Sequence, residues 1–351
     1  MGDGEWTPDA GRGRTDNRRV PFSGNNPGSL RAVYQGAVPA ATRRVSPGRS
    51  LTLNSTGSDL SRGLPRGRLR RVAEWAGSAA IVLAGLLGSV IDARGQWVEE
   101  PGKGWITLAM YHQDTRERFD PHGDAEKLSF EGHAIATSSF LTLALGIVEG
   151  VDIWGQASFH RLRYDHASAE RLSTGLGDTR LWLRAAPLKW LGSRLPFAIR
   201  AGFKVPVGDF DNLGVDEVPL GDGQRDWEVI AELGHSFWPR SVYVSGWLGH
   251  RWREENAQSG RDFGNEVFYY AQIGGQLGRV GYKLAVDGWN GAAAGGAGAP
   301  GAGFERDLVQ LLPALQYDAG VGQFESGVRF ALGGKNVTAG TSFVFRFFTR
   351  W

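Results

Sequence analysis

The sequence predicts an all-β protein: a closed antiparallel transmembrane β-barrel of about 12 strands, preceded by a signal peptide and a disordered N-terminal segment. Three observations predict this fold. Segments that alternate between apolar and polar residues recur from Gly104 to the last residue. The links between these segments are alternately short and long, and the final segment ends on the aromatic residue Trp351.

Composition and charge narrow the class of protein. A length of 351 residues would ordinarily suggest two soluble domains, but a barrel of this size is one domain. Cys is absent, which excludes disulfides, thiolate metal sites and Cys nucleophiles. The chain up to Gly95 has 14 Arg and 7 acidic residues, whereas the remainder has 25 basic and 30 acidic residues. The acidic remainder therefore predicts no nucleic-acid partner.

Residues 1–65 are rich in Arg, Gly, Ser, Pro and Asn and have neither a helical nor a strand period. This composition predicts a disordered basic leader. Because a signal peptide normally begins a protein, we interpret 1–65 as a stretch that is not translated, with the start near Leu64, Leu69 or Val72 at a non-ATG codon. The alternative is a genuine basic tail in the cytosol.

Residues 66–95 have the charge order of a signal peptide. An apolar core spans Ala76–Val90, and Ala93 and Gly95 provide small residues before a predicted cut at Gln96. Four arginines directly precede the apolar stretch: Arg66, Arg68, Arg70 and Arg71. The prediction is export through the inner membrane to the bacterial outer membrane. An uncleaved anchor over 72–91 is the alternative, since about 20 apolar residues span a bilayer.

Residues 96–351 carry the predicted barrel. Its clearest strand places Phe197, Ile199 and Phe203 on one face and Arg200 and Lys204 on the other. One face suits lipid and the other suits water. The twelve predicted strands are Gly104–Glu117, Gly132–Leu145, Val151–Tyr164, Gly177–Pro187, Leu195–Val207, Gln224–Phe237, Val242–Glu254, Asn265–Leu277, Val280–Trp289, Arg306–Tyr317, Gly322–Leu332 and Gly340–Trp351.

The links and the aromatic residues support a barrel of the outer-membrane type. Short periplasmic turns and long external loops are typical of such barrels. The predicted short links lie near Ile147, Leu191, Pro239, Gly278 and Ala319, and the longer ones near Pro121, Ala169, Val215, Gln258 and Ala297. Aromatic girdles at the two membrane interfaces are predicted at Trp105, Trp154, Trp190, Trp238, Trp289 and Trp351.

The last predicted strand places four aromatic residues on one face: Phe343, Phe345, Phe347 and Trp351. This arrangement resembles the C-terminal signal that the outer-membrane assembly machinery reads in bacterial barrels. The alternative is an ordinary aromatic strand. The partners predicted on these grounds are outer-membrane lipid and that machinery.

Four short stretches resemble the bacterial MetA-pathway of phenol degradation family of outer-membrane β-barrel transporters. They are Gly104–Thr107, Gly175–Asp178, Lys204–Asp209 and Gly221–Asp226, and their order matches that family across most of residues 100–351. The chain departs from the family at Pro187 and in the glycine-rich stretch 288–303. The resemblance implies an outer-membrane channel for aromatic or other small hydrophobic compounds.

If the apolar faces meet lipid, the opposite faces place charges of both signs inside the barrel. Such groups either select solutes by charge and size or pair across a narrow lumen and fill it. Twelve strands are intermediate between a filled barrel and a wide pore, so we expect a narrow pore with an inward loop. The predicted pore-lining residues are Arg180, Arg184, Arg200, Lys204, Glu228, Glu232, Arg251, Lys283, Glu325, Arg329 and Arg346.

Two further patterns bear on binding or catalysis. The stretch Asp209–Asp226 is rich in carboxylates, and we interpret it as a solvated acidic loop rather than a calcium site. Ser158 and His160 share a strand face about 7 Å apart by strand rise, which exceeds hydrogen-bond reach and predicts no acyl-transfer site. The 288–303 stretch is predicted to be a mobile external loop.

These patterns lead to one hypothesis for function. It is a passive channel for small-molecule solutes, without enzyme activity, cofactor or metal. The alternatives left open are an outer-membrane hydrolase of lipid substrates and a non-conducting structural barrel.

Overall fold

The computed structural model describes residues 98–167, 169–193, 195–210, 218–237, 241–257, 260, 262–295 and 305–351. The predicted leader, 1–65, and signal peptide, 66–95, lie outside the described residues. Within the described part of the chain, no helix is both long enough and apolar enough to cross a membrane.

The described residues form sixteen strands and almost no helix. One α-helix, α1, spans Pro187–Trp190, and a 3-10 turn spans Ser129–Glu131. The strands are β1 Gly104–Thr115, β2 Glu117–Phe119, β3 Ala125–Lys127, β4 His133–Val148, β5 Val151–His166, β6 Ala169–Leu176, β7 Thr179–Ala185, β8 Phe197–Val205, β9 Asp226–Ser236, β10 Val242–Arg253, β11 Glu266–Leu277, β12 Val280–Gly291, β13 Arg306–Asp318, β14 Gln323–Lys335, β15 Val337–Thr338 and β16 Thr341–Arg350.

Thirteen of the sixteen strands close into one antiparallel barrel, and its wall has twelve positions because β6 and β7 share one of them. This confirms the predicted fold. The wall order is β1, β4, β5, β6 with β7, β8 to β14 in sequence, and β16. The first and last wall strands pair, with Trp105 opposite Arg350, and β4 pairs with β5. Closure satisfies the backbone groups of both strands at this seam, as a wall surrounded by lipid requires.

The fourth predicted strand is corrected in two ways. The predicted loop near Ala169 is instead β6, which pairs with β5 from Phe159 opposite Leu176 to His166 opposite Ala169. At the other end, Pro187 begins helix α1 instead of ending a strand, because proline has no N–H for the ladder and fits the first turn of a helix.

The predicted glycine-rich loop at 288–303 is wrong at its start. Residues 288–291 belong to β12 and pair with β13, with Gly291 opposite Arg306. A side chain at Gly288 would meet the Tyr269 hydroxyl and the Leu308 carbonyl, which explains glycine in this strand. Residues 296–304 lie outside the described part of the chain.

The outer face of the wall is apolar and the inner face is polar, as the alternation predicted. Along β7, Leu181 and Leu183 are exposed, whereas Arg180 and Arg184 are buried. Along β16, Phe343 and Phe345 are exposed and Ser342 and Val344 are buried. Soluble monomers rarely expose so many large apolar side chains in a continuous belt.

The two ends of the barrel differ. Brief connections at 149–150, 237–241, 278–279 and 319–322 define the short-turn end, together with the 186–196 connection that holds α1. The longer connections define the loop end. There β15, β2 and β3 form a small separate sheet, with Val337 opposite Phe119. The predicted alternation of link lengths is confirmed except near Ala169 and near Leu191, where the predicted short link is the 186–196 connection.

Candidate functional site: the barrel interior

All eleven residues predicted to line the interior lie on the inward face. Ten of them are buried, and the Arg346 side chain is 25% exposed. Their surroundings divide them into two groups. The group towards the loop end is packed into ion pairs, and the group towards the short-turn end surrounds a cavity.

Lys204 is the centre of the packed group. Its Nζ lies 2.6 Å from Asp222 Oδ2, 3.1 Å from Asp226 Oδ2 and 3.2 Å from Asp178 Oδ2. Arg253 lies 2.8 Å from Asp222 and 3.6 Å from Asp226. We call these five residues the Lys204 cluster. A buried charge is tolerated only when it is paired and hydrogen-bonded, and this cluster meets that condition for Lys204.

Neighbouring charges extend the cluster around the wall. Glu228 lies 3.2 Å from Arg180 and 2.7 Å from Arg251. Glu266 in turn lies 2.9 Å from Arg251 and 3.1 Å from Arg253. Opposite charges on β7, β9, β10 and β11 are therefore in contact, and the charges of this part of the interior largely neutralise one another.

The motifs behind the family resemblance meet at this cluster. Asp178, Lys204 and Asp222 belong to three different motifs, and they are in direct contact. The Asp178 carboxylate also accepts backbone N–H groups of Gly208, at 3.2 Å, and of Asp222, at 3.1 Å. A Cβ at Gly221 would lie 2.3 Å from Asp178 Oδ1, which requires glycine there.

The predicted solvated acidic loop is therefore corrected. Asp222 and Asp226 are fully buried, and the Lys204 ammonium occupies the position between the carboxylates that a cation would take. Asp211, Asp216 and Glu217 lie outside the described residues. The spacing of acidic residues could not reveal this arrangement, because its basic partners come from other strands.

Among the described residues, apolar side chains pack beside the Lys204 cluster at the loop end. Phe210, Val218 and Leu220 from the β8–β9 connection are buried, and the Val218 N–H donates to Ser173 Oγ at 2.7 Å. Val218 and Leu220 lie beside β6, whose outer edge pairs with no strand in the described residues. Tyr111, Phe268, Trp289 and Leu312 belong to the same buried core.

A cavity of about 570 Å³ occupies the short-turn half of the interior. We call it the vestibule. It reaches the short-turn rim, where Trp105, Gln323 and Arg350 line it. Its lining combines charged, amide and aromatic groups, including Trp154, Trp182, Arg184, Arg200, Glu232, Tyr243, Tyr270, Lys283, Gln316, Glu325 and Arg346.

One wall of the vestibule stacks guanidinium groups on indole rings. The guanidinium carbons of Arg184 and Arg200 lie 4.5 Å and 4.4 Å from the Trp154 ring centroid. Trp105 packs edge-on against Trp154 at 4.7 Å. The Arg184 guanidinium also donates a hydrogen bond to Asp152, a residue that was not among the predicted pore-lining residues. Asp152 lies on the inward face of β5 together with Trp154 and Gln156. The alternation of inward and outward residues along this strand would therefore have identified Asp152 as an interior residue.

The predicted aromatic girdles are thus partly wrong. Trp105 and Trp154 line the vestibule, and Trp289 is buried in the core. Trp190 and Trp351 are exposed near the short-turn end, and Trp238 lies outside the described residues. The girdles were predicted from proximity to a strand end, which does not distinguish the inner face from the outer face. The alternation of successive side chains along each strand would have distinguished them.

The opposite wall carries a second ion network. Lys283 Nζ lies 2.6 Å from Glu325, Gln316 donates to Glu325 at 2.8 Å, and Arg346 Nη1 lies 3.5 Å from Glu325 Oε1. Because β8 and β14 are six places apart in the closed wall of twelve, the two networks face each other across the vestibule.

Ser158 and His160 are closer than the sequence predicted. His160 Nε2 lies 3.0 Å from Ser158 Oγ, since both side chains bend towards each other on the inward face. The Ser158 hydroxyl donates to the Asp178 carbonyl at 3.2 Å, and His160 Nδ1 lies 2.8 Å from Ser138 Oγ. The single proton of the Ser158 hydroxyl can be donated either to the Asp178 carbonyl or to His160 Nε2, so the two contacts compete for it.

The described residues include no group of three or more His, Asp or Glu side chains arranged to hold a metal ion. His112 contacts Thr137, and His133 contacts Asp114.

The outer wall carries an apolar groove of about 680 Å³ over β4 to β10. Its floor is formed where Gly155 and Ala201 present little or no side chain to the outside. Behind it the ladder is continuous, with Gly155 opposite Leu181 and Gly202 opposite Glu228. The groove is therefore a feature of the outer surface and not an opening into the vestibule.

The four C-terminal aromatic residues lie on the outer side of the seam. Phe343, Phe345 and Trp351 are exposed, and Phe347 is half-buried beside Phe324 at 4.9 Å between ring centroids. The Trp351 ring lies against Gly104, where a Cβ would come within 2.6 Å of it.

No family model and no curated protein matches this chain. Solved structures do match it. The COG4313 outer membrane channel from Pseudomonas putida F1 aligns with a TM-score of 0.59 and 11% identity, over 74% of this chain and 100% of that chain. This likeness defines the fold class: a closed barrel of the type found in the outer membrane.

Two autotransporter domains match with lower scores. The translocator domain of NalP from Neisseria meningitidis has a TM-score of 0.40 and 11% identity, over 80% of this chain and 97% of that chain. The β domain of the Bordetella autotransporter BrkA has a TM-score of 0.43 and 9% identity, over 72% of this chain and 100% of that chain.

Proposed function

We propose that this protein is an outer-membrane channel through which small molecules diffuse passively. The observation that carries the proposal is the vestibule, a polar cavity of about 570 Å³ inside a barrel whose outer face is apolar. A wall with this polarity excludes lipid from the lumen and admits water to it. The solved Pseudomonas putida channel with the same fold supports this assignment.

The proposal includes location and orientation. The signal peptide at 66–95 directs export, and the assembly machinery reads Phe343, Phe345, Phe347 and Trp351. The short-turn end, with the vestibule, faces the periplasm, and the loop end faces outward. The alternation of short turns and long loops supports this orientation.

The solutes we propose are aromatic or other small hydrophobic compounds, as the resemblance to the phenol-degradation transporters implies. Trp105, Trp154, Trp182 and Tyr270 in the vestibule support this class, because aromatic faces bind aromatic rings. The packed loop end implies a small conductance, since the Lys204 cluster and its apolar neighbours narrow the path.

Planar-bilayer recording tests the channel directly. The full chain is expressed in a Gram-negative host, extracted from outer membranes and reconstituted, and single-channel currents are recorded with a panel of phenols and fatty acids. We expect small unitary currents that phenols reduce. A correctly folded barrel that never conducts would contradict the proposal and favour the structural barrel.

The hydrolase is the second candidate, and the 3.0 Å contact between Ser158 and His160 favours it. Burial of both side chains and the competition of the Asp178 carbonyl for the Ser158 proton oppose it. Phospholipid hydrolysis by the purified barrel that Ser158→Ala abolishes would establish the enzyme. Equal and negligible hydrolysis by both proteins is expected.

A further inference from the structure

The buried charges of the barrel nearly cancel. Among the described residues, ten basic and nine acidic side chains are buried. Most of them are paired within the Lys204 cluster, its neighbours and the vestibule walls. A lumen with this balance has no strong preference for either sign of ion, so any preference must come from charges that the solvent reaches.

Two such charges lie on β16. Arg346 and Arg350 are four residues apart and both line the vestibule. Arg346 retains partial exposure, and Arg350 is exposed at the short-turn rim, where its guanidinium lies 5.6 Å from the Phe348 ring centroid. None of the ion pairs within the described residues includes Arg350.

The carboxylate beside Arg346 is already occupied. Both oxygens of Glu325 lie 2.6 Å from Lys283 Nζ, and Gln316 donates to Oε2 at 2.8 Å. Arg346 is farther away, with Nη1 at 3.5 Å from Oε1. One negative charge, on Glu325, is therefore shared by two positive charges, on Lys283 and Arg346. This wall of the vestibule has a net excess of one positive charge.

The facing wall has no excess negative charge that could balance this positive charge. Arg184 and Arg200 are matched there by Asp152 and Glu232, with Arg184 Nε 3.0 Å from Asp152 and Arg200 Nε 2.8 Å from Glu232. The vestibule as a whole is therefore positive. A cleft with one sign of charge and low-dielectric walls concentrates counter-ions.

We infer that the Arg346–Arg350 corner makes the channel anion-selective and binds small carboxylates. The inference rests on the proposed channel function and names its solute charge. A guanidinium donates two parallel N–H groups to the two oxygens of a carboxylate, and Arg346 and Arg350 have N–H groups that Glu325 does not use. Phe348 between them offers an apolar surface to the remainder of the solute.

Reversal potentials in a KCl gradient test the selectivity. The wild-type full-length channel should be more permeable to chloride than to potassium. The double variant Arg346→Gln with Arg350→Gln should lower the chloride-to-potassium permeability ratio by about threefold or more, since both excess charges are removed. Arg279→Gln is the matched control: Arg279 is exposed in the 278–279 turn at the same end and does not line the vestibule.

Sodium benzoate provides a second measurement that needs only the wild type and the single variant Arg350→Gln. Benzoate should interrupt wild-type currents more strongly than benzyl alcohol does, and the variant should lose that difference. A conducting channel that prefers potassium, or variants with an unchanged ratio, would overturn the inference while leaving the channel intact. Absence of any conductance would instead overturn the proposed function.

Discussion

Lys204 contributes one positive charge to three buried carboxylates, and this single side chain joins β8 to the break between β6 and β7, to the β8–β9 connection and to the start of β9. Removing two such partners from water costs several kcal/mol per ion, which close pairing must offset. The arrangement holds only while both signs are present. Loss of the ammonium would leave Asp178, Asp222 and Asp226 facing one another with less compensation.

We predict that Lys204→Met destabilises the barrel by about 3–5 kcal/mol, because it strands buried carboxylates while keeping a similar side-chain volume. Urea unfolding in lipid vesicles, followed by tryptophan fluorescence, measures the change. Lys335→Met is the control, since Lys335 forms a part-exposed pair with Glu305 at 3.2 Å that should contribute only about 0–1 kcal/mol. Equal stability of the two variants would contradict the structural role of Lys204.

Several residues in the interior were predictable and others were not. The charges on β7, β8, β9 and β14 followed from the period of two, because each strand shows its apolar face beside them. The contact of Ser158 with His160 did not follow, since strand rise gives the spacing of backbones and not of side-chain tips. Asp222 lies in a connection without a period, so only its tertiary contacts with Lys204 and Arg253 show that it is buried.

At the scale of the elements, the break between β6 and β7 positions Asp178. Gln156 of β5 is opposite Arg180, and Phe159 is opposite Leu176, so two residues of β5 face the three residues 177–179. This is the geometry of a β-bulge, which re-aims a side chain at a chosen point of a strand. A Cβ at Gly177 would lie 2.2 Å from His160 Nε2, so glycine is required there.

The outer face of β16 allows a graded test of the membrane. Phe345→Arg places a charge in the middle of the strand and should destabilise the barrel by about 2–4 kcal/mol, because the side chain faces hydrocarbon. Thr341→Arg places the same charge on the same face at the loop end, where the cost should be about 0–1 kcal/mol. Folding yield into vesicles and urea midpoints compare the two.

The prediction concerns the difference in destabilisation between Phe345→Arg and Thr341→Arg. Both residues are exposed, and only their depth along the strand differs. Similar effects at both positions would indicate that this face of β16 meets water and not a bilayer.

At the scale of the whole molecule, closure explains why the first and last wall strands have complementary roles. β1 pairs with β16 over nine residue pairs, from Trp105 opposite Arg350 to Gln113 opposite Ser342. Folding of this seam requires the entire wall to be present, because each remaining strand lies between the two in the order. Contacts distant in the sequence therefore dominate, and folding should be slow.

Brominated phospholipids test the orientation of the whole barrel. Trp227 and Trp252 are exposed on the outer face, whereas Trp289 is buried inside. In vesicles of brominated lipid, replacing both outer residues with Phe should remove emission that the bromine quenches. Emission from Trp289 should not be quenched by the bromine, so Trp289→Phe should leave the quenched part of the emission unchanged. The reverse pattern would mean that the apolar face points inward.

The number of wall strands, their alternation and the placement of charges on one face could be predicted from the sequence. This was possible because the period of two and the position of turns are local properties of the chain. The pairing of those charges could not be predicted and became visible in the folded barrel. Three features depend on which strands become neighbours or face each other after closure: the packed loop end, the vestibule, and the excess positive charge at Arg346 and Arg350. Distances across the lumen join residues of different strands, so no single segment of the sequence encodes them.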